Sequence, residues 1–199
     1  MKVSREQAAE NRAALVREAG RLFRERGIDG VGVAEISKAA GLTHGALYGQ
    51  FPSKDALAAE ALAEGLRASY ARLTARAEGG TFTLGSLLDH LLSRRHRDDM
   101  GDSCPLTASA SEIARQDAVV SERFVEGFER LVSTVQATLS DVPETERRAR
   151  ALTIVAGEIG AIAIARAAAK SNPALSDEMM AAARRVLGKV GGEQEDVGR

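Results

Sequence analysis

The single cysteine of this 199-residue sequence is placed where its thiol could react. Cys104 lies in the run Gly101-Asp102-Ser103-Cys104-Pro105, which predicts the start of a short helix reaching about Arg115. The dipole at a helix N-terminus lowers the pKa of a thiol and so favours the reactive thiolate. Cys104 is therefore a candidate sensor of oxidants or electrophiles. The alternative is a small buried residue in a helix cap.

Two histidines are candidates for metal binding, because His90 and His96 both have aspartate neighbours. On one continuous helix, two residues that are six positions apart point to different faces, so we expect no shared metal ion. The sequence also shows no nucleophile and base in a recognisable framework. The glycines at 27, 30 and 32 lack the preceding strand and the spacing of a nucleotide-binding loop. We therefore expect no catalytic residue, no metal and no cofactor, and a protein that is not an enzyme.

The segment from residue 36 to residue 48 has the pattern of two short helices that cross at a tight turn. Gly41 supplies the turn, and Ser37 is small where the helices approach each other. The apolar residues on either side of the turn have the spacing that packs both helices on one core: Ile36, Ala40, Leu42 and Leu47. This pattern predicts a helix-turn-helix.

The second helix of this motif carries the outward-facing residues. Thr43 is placed to cap it, which leaves residues 44–50 facing outward. Gly45 and Gly49 each cost about 1 kcal/mol of helix stability relative to alanine. A helix accepts that cost more readily where a missing side chain permits close approach to a DNA backbone or groove wall. For Gly49, a merely tolerated glycine near a helix end is an equal alternative.

The elements that must position this motif are all predicted to be helices, and we expect an all-α fold of about nine helices. Residues 1–53 form a three-helix helix-turn-helix domain, continuous through a long helix from Lys54 to about Ala77 with a larger bundle that extends to residue 190. We expect residues 191–199 to be a polar, disordered tail. A polar loop is expected from Arg97 to Ser103. Helix caps are predicted at Ser4, Ser53, Asp117, Asp141 and Asn172.

Composition and charge restrict the class of protein. The net charge is −1, yet residues 1–55 carry nine Lys and Arg against seven Asp and Glu, which permits a small basic head on an acidic body. The most apolar stretch, residues 151–169, is interrupted by Glu158 and Arg166 and is interpreted as a buried helix rather than a membrane span. The polar first residues do not resemble a signal peptide. We expect a cytoplasmic protein with no membrane partner.

Over residues 12–57 the sequence closely resembles the TetR family of bacterial regulators. The resemblance is carried by the following positions: Phe23, Gly27, Ile36, Ala39-Ala40-Gly41-Leu42, Leu47-Tyr48, Phe51 and Ser53-Lys54-Asp55-Ala56-Leu57. Two positions depart from the usual pattern. Gly32 stands where a capping Thr or Ser is usual before the first motif helix, and Gln50 stands where His or Tyr is often found. Both departures could alter the DNA sequence that is recognised.

The resemblance implies a DNA-binding transcriptional regulator and assigns roles to individual residues. Thr43, Tyr48 and Lys54 would hold phosphates, and His44, Gly45 and Gln50 would lie nearest the base edges. Val33 completes the expected set of DNA-binding residues. The alternatives are that Tyr48 is a core aromatic residue and that His44 is an idle surface residue.

The resemblance further implies that the C-terminal bundle dimerises and binds a small molecule. The last two long helices contain small residues at helical spacing, which suit a homodimer interface but would equally suit an intramolecular core: Gly157, Gly160, Ala161, Ala165, Ala181, Ala182 and Ala183. A further set could line an effector pocket or could simply be core: Tyr70, Phe82, His90, Cys104, Phe124 and Phe128.

We therefore expect a repressor that binds a palindromic operator as a dimer and is released by a small-molecule effector of unknown identity. Two alternatives stay open. One is a DNA-binding regulator that responds to a protein partner, or to oxidation or electrophiles through Cys104, instead of a small-molecule effector. The other is an all-helical enzyme or carrier with an incidental helix-turn-helix.

Overall fold

In the computed structural model, which describes residues 4–75 and 83–192, all regular structure is helical. The predicted all-α fold is confirmed, with ten α-helices in the described residues. Their bounds are α1 Arg5–Arg26, α2 Val33–Ala39, α3 His44–Tyr48, α4 Lys54–Ala75, α5 Leu84–Leu91, α6 Arg94–Asp98, α7 Pro105–Ser109, α8 Ala118–Thr138, α9 Glu144–Ala168 and α10 Pro173–Val190. A 3-10 turn, Ile113–Arg115, lies between α7 and α8.

Most helix starts lie where short-range signals predict them. The Ser4 hydroxyl accepts the backbone N–H of Gln7 at 3.0 Å and begins α1. The Ser53 hydroxyl likewise accepts the N–H of Ala56 at 3.0 Å at the start of α4. Side-chain oxygens of Asp117 and Asn172 cap α8 and α10 in the same way. Each of these contacts spans two or three residues, so the sequence pattern alone is sufficient to predict it.

Three predicted boundaries are wrong. The helix that follows Cys104 ends at Ser109 and does not reach Arg115. α9 begins at Glu144 after Pro143, with no side-chain cap, so Asp141 does not open it. The expected polar loop from Arg97 is also shorter than predicted, because α6 continues to Asp98. This helix starts where the Ser93 hydroxyl accepts the N–H of His96 at 3.1 Å. Ser93, which is followed by a run of charged residues, was not predicted as a cap.

The chain divides into two compact units. The first contains residues 4–70 and 100–127, and the second contains residues 71–75, 83–99 and 128–192. The domain boundary predicted at residue 53 stays a prediction. The first compact unit extends beyond it and includes residues 100–127 together with the helix-turn-helix. Residues 193–199 of the predicted tail lie outside the described part of the chain.

The first unit has one hydrophobic core that joins the helix-turn-helix to a distant stretch of sequence. Ile36 and Leu47 are fully buried in it, and Phe51 is 2% exposed. Ile113 and Val120, more than fifty residues further along the chain, belong to the same cluster. The N-terminal helices therefore do not complete their core by themselves.

The loop after α1 is held by the same distant stretch. Gly27 ends α1 with φ +81° and ψ 158°, a backbone region that is essentially restricted to glycine. The Glu112 carboxylate accepts the backbone N–H of Ile28 at 2.8 Å. A side chain at position 27 would meet that carboxylate, because a Cβ there would lie 2.7 Å from Oε1 of Glu112.

We expect Gly27→Ala to lower the free energy of unfolding by about 1–3 kcal/mol, through backbone strain and the clash with Glu112. Chemical denaturation followed by circular dichroism measures the change. Gly45→Ala is the matched control, because a Cβ at position 45 meets open space and the backbone is helical. That variant should keep or raise stability. Equal losses in both variants would contradict the assigned strain.

In the second unit, α9 and α10 pack closely along their length. Gly157 allows this approach, since a Cβ there would lie 2.8 Å from a methyl carbon of Leu187 on α10. α9 is the one helix in the described residues that is long and apolar enough to cross a membrane, which is a weak indication because core helices of soluble proteins pass the same test. The expected burial of its apolar face is seen at Ile154, Val155 and Ile162.

Candidate nucleic-acid interface

The predicted tight turn is present between α2 and α3. Gly41 has φ +71°, the left-handed conformation that favours glycine. The backbone N–H of Leu42 donates to the carbonyl of Ser37 at 2.8 Å, which closes the turn. Ser37 is 1% exposed, as expected of a small residue where two helices approach each other.

A shared core fixes both helices of the motif from below. Ile36 on α2 and Leu47 on α3 are completely buried, and Ala40 and Leu42 pack partly buried against the same cluster. α3 has only five residues, too few to be stable alone. Its position is therefore determined by its contacts with the core. Leu47 is the most deeply buried residue of this helix.

The outward side of α3 presents polar and aromatic groups to solvent. Thr43, His44 and Gly45 are exposed, and the Tyr48 side chain is 56% exposed. The rings of His44 and Tyr48, one helical turn apart, make an edge-to-face contact with centroids 5.6 Å apart. The exposure of Tyr48 argues against the core alternative for this residue. We refer to Thr43, His44, Gly45 and Tyr48 as the α3 surface.

The other predicted DNA-binding residues flank this surface in sequence. Val33 is the first residue of α2, Gln50 lies between α3 and α4, and Lys54 is the first residue of α4. All three are half-buried. Lys54 thus stands at a helix N-terminus, where the helix dipole also attracts an anion such as phosphate.

Thr43 occupies the N-cap position of α3, but its side chain makes no capping hydrogen bond, so the predicted cap is wrong in its chemistry. Gly32 begins α2 without a side-chain cap, as expected. At Gly45 a Cβ would meet open space. Packing within the protein therefore does not require glycine there. At Gly49 a Cβ would be in ordinary contact with the Ala46 carbonyl at 3.5 Å.

The predicted effector-binding residues do not all fall in one unit. Tyr70, Cys104 and Phe124 belong to the first unit, and His90 and Phe128 belong to the second. Phe82 lies outside the described residues. A small apolar pocket does exist in the first unit, between α1, α4 and α7, but none of the predicted residues lines it.

Cys104 is 6% exposed and occupies the N-cap position of α7, a helix of five residues. The predicted position at a helix start is confirmed. The burial favours the second interpretation given above, a small buried residue in a helix cap. A helix this short also contributes little dipole to a thiol.

The two histidines come together, contrary to the expectation that they point apart. The expectation assumed one continuous helix, but α5 ends at Leu91 and α6 begins after Ser93. The ring centroids of His90 and His96 lie 5.8 Å apart as a result. Among the described residues, no group of three or more metal-ligating side chains is found here or elsewhere.

His96 is buried, and its Nε2 has no hydrogen-bond partner among the described residues. Burial, with positive charge from Arg166 and His90, lowers the pKa of His96 to about 4. The imidazole is therefore neutral near pH 7. The Arg166 side chain also donates to the backbone carbonyl of His96 at 2.8 Å.

One contributor to the interface region was missed in the sequence. Arg12 on α1 donates to the backbone carbonyl of Gln50, and the two residues are 38 positions apart. No short-range pattern links them, so only the folded structure shows the contact.

Two family models match the sequence. The model described as bacterial regulatory proteins, tetR family, matches residues 15–61. The model described as the C-terminal domain of LmrA/YxaF-like transcriptional regulators matches residues 83–177. Together they cover the α3 surface and most of the second unit. No curated protein matches the chain.

Solved structures share the fold. A TetR-family transcriptional regulator from Cytophaga hutchinsonii is 20% identical with a TM-score of 0.77, covering 98% of this chain and 100% of its own. A TetR transcriptional regulator from Chloroflexus aurantiacus is 24% identical with a TM-score of 0.78, covering 95% and 98%. The reduced form of E. coli NemR is 19% identical with a TM-score of 0.74, covering 90% and 95%.

Proposed function

Because this chain belongs to the TetR family of bacterial transcriptional regulators, we propose that it is a repressor that binds a palindromic operator as a homodimer. A small-molecule effector releases it from the DNA. Family members are DNA-binding regulators rather than enzymes. The protein acts in the cytoplasm, where the bacterial DNA lies.

The α3 surface is the observation that carries this proposal. A five-residue helix that exposes a histidine and a tyrosine has no evident role in the core, since Leu47 alone anchors it there. Such a helix fits a major groove, which is about 12 Å wide. The open space beside Gly45 supports close approach of the DNA.

The proposed roles follow the positions of the side chains. His44, Gly45 and Gln50 lie nearest the base edges and determine sequence preference. Thr43, Tyr48 and Lys54 hold phosphates, with Lys54 assisted by the dipole of α4. Val33 at the start of α2 borders the same DNA.

The proposed dimer forms through α9 and α10. Within the second unit, one side of α9 is exposed and consists of small or apolar residues: Ala156, Ala163, Ile164 and Ala167, with Gly160 facing open space. On α10, Leu175 and Val186 are 43% and 54% exposed. We call these seven residues the α9–α10 face. A second copy of the chain would remove this apolar surface from water.

Several of the small residues predicted for the interface serve the interior instead. Ala161 and Ala165 are buried within the second unit, and Gly157 accommodates Leu187. Gly160 remains available to a partner helix. The effector-binding residues stay a prediction: Tyr70 and Phe124 are half-buried in the first unit, and His90 and Phe128 are half-buried in the second.

Selection from a random duplex library at near-physiological salt tests the proposed function. We expect enrichment of a palindrome whose half-sites lie about 34–36 Å apart. The double variant His44→Ala, Tyr48→Ala is the matched control, because both side chains are exposed and their removal should leave the fold intact. Absence of enrichment with native protein, and again after refolding to strip a bound effector, would contradict the proposal.

Lys54→Ala should weaken binding to the operator and to unrelated DNA by the same factor. The substitution removes one phosphate contact from each of the two protomers, so it lowers the slope of log affinity against log salt by about 1.8. Titrations at several salt concentrations, read by fluorescence anisotropy, measure this slope. Lys170→Ala, which changes an exposed lysine of the second unit, should leave the slope unchanged. An unaltered slope in Lys54→Ala would exclude the phosphate role.

A further inference from the structure

We propose that Arg12 is a positioning residue for operator recognition, which sets sequence selectivity by holding the segment between α3 and α4 without touching DNA. The proposal rests on the proposed function, since it concerns how the α3 surface is presented to an operator. It assigns a role in recognition to a side chain on α1, a helix outside the helix-turn-helix motif.

Arg12 makes four contacts at once. Its Nη1 donates to the backbone carbonyl of Gln50 at 2.6 Å. Its Nε donates to Oε1 of Glu60 at 3.1 Å, and its Nη2 pairs with the other oxygen of the same carboxylate. The guanidinium carbon lies 4.0 Å from the centre of the Phe51 ring. We call Arg12, Gln50, Phe51 and Glu60 the Arg12 clamp.

The clamp lies at the C-terminal end of α3, a five-residue helix that is too short to hold a fixed orientation by itself. α3 ends at Tyr48, and the N–H groups of Gln50 and Phe51 both donate to the carbonyl of Leu47 at 2.9 Å. Leu47 and Phe51 hold one side of this segment in the core. The bond from Arg12 to the Gln50 carbonyl fixes the other side, and so fixes the path of the chain from the α3 surface to Lys54.

A direct DNA contact does not fit the geometry of Arg12. All three nitrogens of the guanidinium are engaged within the protein, and the Glu60 carboxylate neutralises its charge. Its side chain and that of Glu60 are 39% and 40% exposed. An ion pair this exposed adds little to stability. The clamp therefore acts on the orientation of the segment between α3 and α4 rather than on the stability of the fold.

Arginine is required for this arrangement because its planar group donates in two directions while one face covers an aromatic ring. A lysine at position 12 would keep the positive charge but would offer a single nitrogen. It could not bind Glu60 and the Gln50 carbonyl with the same geometry. Arg12→Lys therefore separates positioning from charge.

The test compares the affinity of each variant for the selected operator and for an unrelated duplex of the same length. We expect Arg12→Lys to bind the operator about tenfold more weakly, with unrelated DNA, the salt slope and the unfolding temperature unchanged. Glu60→Gln should reproduce the loss of selectivity, and the double variant should be no worse than either single variant. Arg17→Lys, an exposed arginine on the same helix, should match wild type.

Two results would overturn the proposal. An equal loss on both DNAs with a shallower salt slope would make Arg12 a phosphate contact. Unchanged operator affinity in both Arg12→Lys and Glu60→Gln would show that the clamp does not affect recognition. If Arg12→Lys lowers the unfolding temperature, the operator affinity of Glu60→Gln decides whether the clamp affects recognition. Failure of the wild-type protein to select any operator would instead refute the proposed function, and the role of Arg12 with it.

Discussion

Ile164→Asp should convert the protein to a monomer and weaken its binding to the palindromic operator by about 10²- to 10⁴-fold. Ile164 is 51% exposed on the α9–α10 face, where a carboxylate would be buried without a partner when two copies meet. Two linked heads engage two half-sites with a high effective concentration, and a monomer loses that advantage. Affinity for a single half-site should stay as it is in the wild type.

Sedimentation measures the oligomeric state, and anisotropy with full-site and half-site duplexes measures the affinities. Val125→Asp is the matched control, since Val125 is 53% exposed on α8 in the first unit and lies outside the proposed face. It should remain dimeric and bind normally. A dimeric Ile164→Asp with normal operator affinity would move the interface away from α9.

Glu158→Gln should abolish a loss of stability that the wild-type protein shows as the pH rises. Glu158 on α9 is 1% exposed, and its Oε1 has no hydrogen-bond partner among the described residues. Burial raises the pKa of this carboxyl from 4.5 to about 8, although the charge of Arg166 opposes the shift. Between these values the folded protein holds a proton that the unfolded chain has released, so stability falls as the pH rises. Taken by itself, Glu158 lowers stability at pH 7 by an amount on the order of 3 kcal/mol relative to pH values below 4.5.

His96 titrates in the opposite sense. Its pKa falls from 6.5 in a free side chain to about 4 in the fold, so it contributes stability that is present above pH 6.5 and is lost as the pH falls toward 4. Between about pH 4.5 and 6.5 the contributions of Glu158 and His96 nearly cancel. Above pH 6.5 only the loss from Glu158 remains, and it amounts to about 2 kcal/mol by pH 8.

Denaturant unfolding at half-unit steps from pH 4.5 to 8 tests this profile. Wild-type stability should be level to about pH 6.5 and then decline. The free energy of unfolding of Glu158→Gln should rise with pH to about pH 6.5, because His96 then acts alone, and should stay level above that pH. Glu178→Gln, which changes an exposed glutamate on α10, should follow the wild type. A decline that persists in Glu158→Gln would assign the effect to other groups.

Features determined by residues a few positions apart were predictable from the sequence. Ser4 and Gln7, the turn at Gly41, and Asn172 with Leu175 each form a contact within one helical turn. The apolar spacing of Ile36 and Leu47 likewise predicted their burial. Local backbone geometry and burial of apolar side chains determine such features, and both are written in short stretches of sequence.

Features that depend on distant residues were not predictable. Nothing in the sequence links Glu112 to Ile28, which are 84 positions apart, and the clamp from Arg12 to Glu60 spans 48. The contact between His90 and His96 was missed because the break between α5 and α6 carries no glycine or proline.

The last helix shows the limit of periodicity. Two apolar stripes run along α10: Leu175 and Val186 lie on one and are exposed, whereas Met180 and Leu187 lie on the other and are buried in the second unit. Spacing identifies both stripes equally well. It cannot say which one packs within the chain and which one is left for a partner.

The shared core of the first unit bears on how such a regulator can be re-engineered. Ile113 and Val120 fill the core beneath the helix-turn-helix, and Glu112 closes the loop at Ile28. In a chimera joined at residue 53, the helix-turn-helix of another protein would have to pack against Ile113 and Val120 of this one. Those two side chains fit the present helix-turn-helix core and not the new one. A portable cassette would have to include residues 100–127 as well, so new operator specificity is more safely obtained by changing the α3 surface in place.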